Sequence, residues 1–198
     1  MFTKPFAESC EQNKQVILEV LQHAFTDSRH VLEIGSGTGQ HAAYFAQHLP
    51  HLTWQCTDIA ANLPGICAWL NEASLDNTPP PLALDVREND WPTQEYDAVF
   101  SANAVHIMAW QAVESMFTGI GRVLKTGGTV CLYGPFNYGG AFTSDSNARF
   151  DTWLKERDPL SGIRHFEDLN TLAEQAGMNL QNDYTMPANN RILVWRKR

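Results

Sequence analysis

The spacing of apolar and polar residues changes period repeatedly along this chain. Val16, Ile17, Val20, Leu21 and Ala24 recur at helical intervals, so residues 11–25 are expected to form an amphipathic helix. Val31-Leu32-Glu33-Ile34 is a short apolar run stopped by glycines and reads as a first strand. A helix over 39–48 and a second strand over 52–57, ending at Asp58, follow. Residues 59–73 read as helical with Pro64 in the first turn, where a missing N–H is tolerated. After the loop Pro79-Pro80-Pro81 come a brief third strand, 82–84, ending at Asp85, and a fourth over 96–101. A helix over 109–123 stops at Lys125-Thr126-Gly127-Gly128, and 129–133 is a fifth strand.

Strand alternating with helix in this way predicts a parallel sheet with right-handed crossovers and helices on both faces. The last third differs. Residues 134–145 are rich in Gly, Pro, Asn and aromatics, as in a loop that carries function. Helices are expected over 146–157 and 166–176. Segments 180–184 and 191–195, around Pro187-Ala188-Asn189-Asn190, read as a hairpin. The expected fold is α/β: a Rossmann-like three-layer αβα sandwich, its mostly parallel seven-stranded sheet finished by an antiparallel C-terminal hairpin. One domain spans residues 1–198, a length able to bury a core without staples. Within it, 1–14 is expected to act as a lid and 134–177 as a cap.

Charge and cysteines narrow the setting. With 14 Lys and Arg against 22 Asp and Glu, the formal net charge is −8, which repels a phosphate backbone at long range and argues against nucleic acid as partner. The basic end Arg196-Lys197-Arg198 is too short to reverse this. Cys10, Cys56, Cys67 and Cys131 contain no C-x-x-C pair. No His, Cys, Asp or Glu grouping has ligand spacing, so no metal is expected. No run approaches the ~20 apolar residues of a membrane span, and residues 1–9 lack a signal-like apolar core. A cytoplasmic protein, monomer or homodimer, with a small-molecule partner is expected.

The chemistry concentrates where the first strand ends, at Glu33-Ile34-Gly35-Ser36-Gly37-Thr38-Gly39-Gln40. Glycines there permit positive φ and let a ligand approach the main chain, and the following helix start is expected to offer unpaired N–H groups. A glycine triplet alone is weak evidence; the strand before it, the helix after it and an acidic strand end downstream strengthen it. Asp58, at the end of the neighbouring strand, suits a pair of ribose hydroxyls, although an N-cap would use the same residue. Asp85, at the end of the third strand, suits an exocyclic amine or a turn.

These segments, with Leu84-Asp85-Val86 and Tyr96-Asp97-Ala98-Val99-Phe100, resemble the ordered motifs of the class I S-adenosylmethionine (SAM)-dependent methyltransferases. Glu33 matches the acidic residue of that family's E/D-x-G-x-G-x-G pattern, which braces the glycine loop near the methionyl amino group. A narrower resemblance rests on Glu11-Gln12-Asn13-Lys14, Gly39-Gln40-His41, Tyr133-Gly134-Pro135-Phe136, Ser146-Asn147, Phe150-Asp151 and Met186-Pro187-Ala188-Asn189-Asn190. It points to domain-of-unknown-function family 938 over nearly the full length. The resemblance implies SAM as cofactor, held by Asn13, Glu33, Gly35, Ser36, Gly37, Gly39, His41, Asp58, Ile59, Asp85, Val86 and Asn103.

On the acceptor side, methyl transfer requires alignment of nucleophile, methyl and sulfur and, for some acceptors, removal of a proton. His106, Tyr133 and Asn137, after the fourth and fifth strands, are the candidate catalytic residues. His106 has the side chain suited to proton transfer near neutrality, although a lone histidine is more often structural. Tyr138, Asn147, Asn189 and Asn190 are the candidate substrate-binding residues, with Asn189 and Asn190 equally suited to a hairpin turn. No Asn/Asp-Pro-Pro-Tyr sequence follows the fourth strand, which counts against adenine or glutamine amino methylation. Transfer of a methyl group to a small molecule is the leading expectation. A protein or RNA methyltransferase, a non-catalytic SAM-binding module and an NAD-dependent oxidoreductase are the alternatives.

Overall fold

The structure, a computed structural model, describes residues 4–198; residues 1–3 of the expected lid lie outside the described residues. Helix α1 (Glu8–Ala24) leads to strand β1 (His30–Ile34), α2 (Gln40–His48), β2 (Thr53–Asp58), α3 (Leu63–Ala73) and β3 (Leu82–Ala83). Then come β4 (Tyr96–Ala102), α4 (Trp110–Val123), β5 (Leu124–Gly134), β6 (Phe136–Asn137) and α5 (Asp145–Arg157). The chain ends with β7 (Arg164–His165), α6 (Phe166–Gln175), β8 (Met178–Met186) and β9 (Asn190–Lys197).

Seven strands form one sheet in the order β3-β2-β1-β4-β5-β9-β8. The first five pair in parallel, and β9 lies antiparallel between β5 and β8. This is the expected α/β sandwich with its terminal hairpin. β6 and β7 make a separate short parallel ladder. No helix of the described residues is long and apolar enough to cross a membrane.

Alternation along each strand divides the core. Val31, Trp54, Cys56, Ala98, Phe100, Cys131, Ile192 and Val194 point to the face covered by α1, α2 and α3. Leu32, Ile34, Val99, Val130, Leu132, Leu193 and Trp195 point to the face covered by α4 and α6. Because both faces are covered, β1 reads as a nearly unbroken apolar run rather than an alternating one. Glu33 shares the face of Val31, so an acidic side chain lies inside that apolar layer.

Some boundaries depart from the pattern. α1 starts at Glu8, with Glu8 and Glu11 in a first turn that favours negative charge. A 3-10 turn over Ala60–Asn62 precedes α3, whose first turn accommodates Pro64. β8 extends from Met178 to Met186 because its backbone pairs with β9, with one irregularity between Leu180 and Asn182. Only the first part of the 134–177 insert, around α5, covers the carboxyl ends of the strands. α6 instead buries Leu169 and Ala173 in the same layer as α4.

Gly119 of α4 is where that layer is tightest. A Cβ there would stand 2.0 Å from the buried Trp91 ring. We expect Gly119→Ala to destabilise the fold by about 1–3 kcal/mol, overriding its gain in helix propensity. A lowered urea midpoint with an unchanged slope is the expected readout; an unchanged midpoint would show that Trp91 can move aside.

Candidate functional site

The sheet order reverses between β1 and β4, and the crevice outside their carboxyl ends is the place where α/β sheets bind ligands. The loop leaving β1 occupies it. Gly35, Gly37 and Gly39 have φ of 72°, 59° and 88°. A Cβ on Gly39 would meet the Ile66 Cα at 2.9 Å, so that glycine lets α2 and α3 approach. At Gly37 a Cβ would meet nothing within 4 Å, so this exposed stretch of main chain is the one open to a ligand.

The loop amides depart from the sequence expectation, while α2 begins as expected without a side-chain cap from its N-cap residue, Gly39. Gly35 and Ser36 N–H both donate to the Thr57 carbonyl at 3.0 Å, and Gly39 N–H donates to the Ser36 carbonyl. Gly37 N–H donates to Asp58 Oδ2 at 2.7 Å. These four amides are therefore paired within the protein rather than bared. The groups that claim them belong mainly to the end of β2, which the sequence around the glycines does not reveal. What the loop offers at Gly37 is a face with no side chain to block approach.

Asp58 Oδ1 accepts from Ile59 N–H and from the Asn62 side-chain amide, each at 2.8 Å. With Oδ2 on Gly37, three of about four acceptor positions on the carboxylate are filled, and a diol would compete with Asn62. Asp85 is held by the Arg87 guanidinium through Nε at 2.9 Å and Nη2 at 2.5 Å, which keeps its carboxyl low, at about 2. Ile59 is 48% exposed beside Asp58, and Val86 is buried beside Asp85.

Glu33 lies beneath the loop. Ser36 Oγ and Trp54 Nε1 both donate to its Oε2 at 2.9 Å. Burial raises its carboxyl to about 7, and these two donors restrain a still larger rise. Glu33 thus braces the loop from the interior through Ser36.

A cleft of about 760 Å³ opens on the other side of the connection between β4 and α4. Of the candidates, Asn13, Asn103, His106, Tyr133, Asn147, Asn189 and Asn190 line it. Among the described residues, four non-glycine residues have positive φ, and three of them, Asn103, Ala188 and Asn189, line this cleft. Such backbone tends to persist where surrounding structure holds it for a purpose. The turn between β8 and β9 is tied to α5: Asn147 Nδ2 donates to the Asn189 carbonyl, and Asn189 Nδ2 donates to Ser146 Oγ. Asn189 therefore serves the turn and the cleft together.

His106 is 3% exposed, and its Nδ1 has no hydrogen-bond partner. Burial, helped by the nearby Arg164 charge, lowers it to about 4, so the ring is neutral at physiological pH. Burial pushes the Tyr133 phenol up, with Asn13 and Asn190 opposing the shift, so it stays a donor.

Three candidates sit elsewhere. Tyr138 donates to Asp183 Oδ2 at 2.8 Å and stacks on Phe166, which turns it away from the cleft into a strap with Arg191 and β8. Asn137 is buried under the cleft in β6, its Nδ2 directed to the Ile163 carbonyl and its Oδ1 unpartnered. His41 is stacked against Phe45 in the core, held neutral by burial at about 4, and bonds Asn13 Oδ1 through Nε2 at 2.7 Å. It orients Asn13 rather than facing the crevice.

Residues 4–197 match the family described as protein of unknown function (DUF938). The chain belongs to the DUF938 family. The fold of this DUF938 chain is similar to that of an O-methyltransferase family protein from Burkholderia thailandensis, at 13% identity and a TM-score of 0.84, covering 96% of this chain and 57% of that one. It is also similar to human N-acetylserotonin methyltransferase in complex with SAM, at 17% identity and a TM-score of 0.78, covering 96% and 53%. A third similar structure is PigF with SAH, at 15% identity and a TM-score of 0.79, covering 94% and 56%. The chain thus has a methyltransferase fold and spans about half the length of these structures.

The geometry adds residues that the pattern did not single out for these roles. Gln40 is buried, accepts Ala7 N–H at 2.6 Å and donates to Glu11 at 3.0 Å, clasping the N-terminal segment to α2. Pro5 adds its carbonyl to Trp69 Nε1 at 2.7 Å. Arg164 turns its guanidinium onto the carbonyls of Val105, Met108 and Leu160 and so fixes the wall carrying His106. Phe150 and Trp153, one helical turn apart in α5, form the aromatic side of the cleft.

The DUF938 chain should carry a pH signature from Glu33. Its folded carboxyl is raised from 4.5 to about 7, so the folded state binds the extra proton between these values. That contribution is present below about pH 4.5 and is lost as pH rises through 7. Relative to the wild type, Glu33→Gln should gain roughly 2–3 kcal/mol between pH 5 and 8. Parallel stability curves for the two proteins in urea melts would contradict it.

Proposed function

We propose that this chain is a SAM-dependent methyltransferase acting on a small molecule. The observation that carries the reading is a shared wall. The β4–α4 connection touches the glycine loop through Ala104, 3.2 Å from where a Gly35 Cβ would stand, while Asn103 and His106 of the same segment face the cleft. A donor site over the loop and an acceptor site in the cleft would meet at one short stretch of main chain. The methyltransferase fold supports this assignment.

The bare face of Gly37 fits a group lying close against the main chain, and the Gly35, Ser36, Gly37 and Gly39 amides, already paired within the protein, are not free to hold a phosphate. SAM supplies a methyl group activated on a sulfonium. Asp58 would hold the ribose hydroxyls, exchanging its bond to Asn62 for one to the ligand. Ile59 and Val86 would flank the adenine, and Asp85 would receive its amino group in competition with Arg87. On the acceptor side, Asn13, Asn103 and Tyr133 would orient the nucleophile toward the methyl carbon, and Asn147, Asn189 and Asn190 the rest of the molecule. The acceptor X–H bond breaks with its proton passing to the neutral His106 ring. SAM, when bound, would supply the carbon of the new X–C bond, its carbon–sulfur electron pair leaving with sulfur.

Incubation with methyl-labelled SAM and a metabolite extract should give the demethylated product and a labelled small molecule in equal amounts. No turnover by a folded protein that takes up SAM would overturn the catalytic reading. Gly37→Val should weaken SAM at least about tenfold, since a branched side chain at that φ both strains the loop, by about 1–2 kcal/mol, and fills the open face. Calorimetry reads this directly, and equal affinity would remove the loop from the site.

His106→Ala should lower turnover by about 10²–10⁴ with SAM affinity unchanged. Because His106 stays unprotonated down to about 4, the ratio of wild-type to His106→Ala kcat/KM should stay level between pH 8 and 5.5, where an ordinary histidine would already titrate. A fall in that ratio centred near 6.5 would contradict the buried, neutral base.

A further inference from the structure

Among the described residues, eighteen line the cleft and none of them is Asp, Glu, Lys or Arg, although 18% of the chain is charged. At that frequency about three were expected by chance. Its two titratable side chains, His106 and Tyr133, are both held neutral by burial at physiological pH. The wall is of two kinds. Val16, Ile107, Pro135, Phe150, Trp153 and Leu154 are apolar, and the Phe150 and Trp153 rings are stacked at 5.7 Å and 19°. The polar remainder is hydroxyls and amides, which donate and accept without carrying charge. The protein occupies the side-chain nitrogens of Asn147 and Asn189 internally, through Thr143, Ser146 and the Asn189 carbonyl. Their oxygens have no such partner and are available to a ligand's N–H or O–H.

From this we infer that the acceptor is an uncharged molecule with a flat apolar part and N–H or O–H donors. The inference rests on the proposed methyltransferase reading for the word acceptor, and on the cleft alone for its chemistry. A carboxylate or phosphate would lose its water and find no cation among the described residues lining the cleft. Arg164, behind the wall, spends its guanidinium on three carbonyls. An ammonium would find no carboxylate among the described lining residues, and Arg157, over the Trp153 ring at 4.3 Å, is not one of those residues. A charge moved into such surroundings without a partner pays its desolvation uncompensated. The His106 ring in the cleft wall is neutral at physiological pH and offers no positive charge to an anion.

The test uses the whole chain and three probes of one shape: naphthol, naphthoate and naphthylmethylammonium, titrated by calorimetry at pH 7. The indole resonance of Trp153 reports whether the cleft is the place of binding. Naphthol should bind at least about tenfold more tightly than either charged probe and shift that resonance. Equal or tighter binding of naphthoate or naphthylmethylammonium, or no saturable binding of naphthol at millimolar concentration, would overturn the inference. Ile107 is 59% exposed on the cleft wall, so Ile107→Lys should fold and should move the preference toward naphthoate. No change in preference would show that the cleft does not select by charge. The demethylated product of SAM is titrated separately: if it fails to bind while the probes keep their order, the methyltransferase reading fails and the neutral cleft remains.

Discussion

The hydrogen bond between the Asp58 carboxylate and the Gly37 amide is the contact on which the site depends. It joins the end of β2 to the loop leaving β1, where the sheet order reverses. Together with the Thr57 carbonyl, which takes the Gly35 and Ser36 amides, it folds the loop back against the strand ends. Glu33 holds the same loop from inside through Ser36. The loop is thereby fixed from two sides, and its open surface reduces to one stretch of main chain at Gly37. Rigidity of this kind suits a ligand that must be aligned to within a fraction of an ångström.

The cleft is built differently. Its walls come from α1, the β4–α4 connection, the start of the insert, α5 and the β8–β9 turn, elements far apart in the chain. What holds them is a set of local ties: Arg164 on the carbonyls around His106, Asn147 on the turn, and His41 on Asn13. Positive φ at Asn103, Ala188 and Asn189 shows where the backbone is bent to make the cleft. The two regions meet at Asn103 and Ala104, the shared edge on which the proposed pairing of donor and acceptor rests.

Much of the fold was legible because burial on both faces makes strands such as Val31-Leu32-Glu33-Ile34 read as apolar runs, and because the glycines punctuate them. Asp58 was legible as a strand-end acid, and the hairpin from its Asn-rich turn. Other features depended on partners distant in sequence. Tyr138 follows the fifth strand like a cleft residue, yet Asp183 turns it away. The glycine-loop amides resemble an anion cradle until Thr57 and Asp58 are brought beside them. α6 belongs to the same stretch as α5, but its apolar stripe of Leu169 and Ala173 draws it into the α4 layer. The lack of charge in the cleft is a property of the assembled surface and of no segment taken singly.

The crevice over the Asp58–Gly37 contact is proposed to hold an adenosyl group without phosphate. Calorimetric titration of S-adenosylhomocysteine and of NAD into the same preparation tests it most directly. The first should be taken up saturably and in equimolar amount, and the second not at all. Uptake of NAD alone, or of neither ligand at millimolar concentration by a cooperatively folded protein, would contradict it.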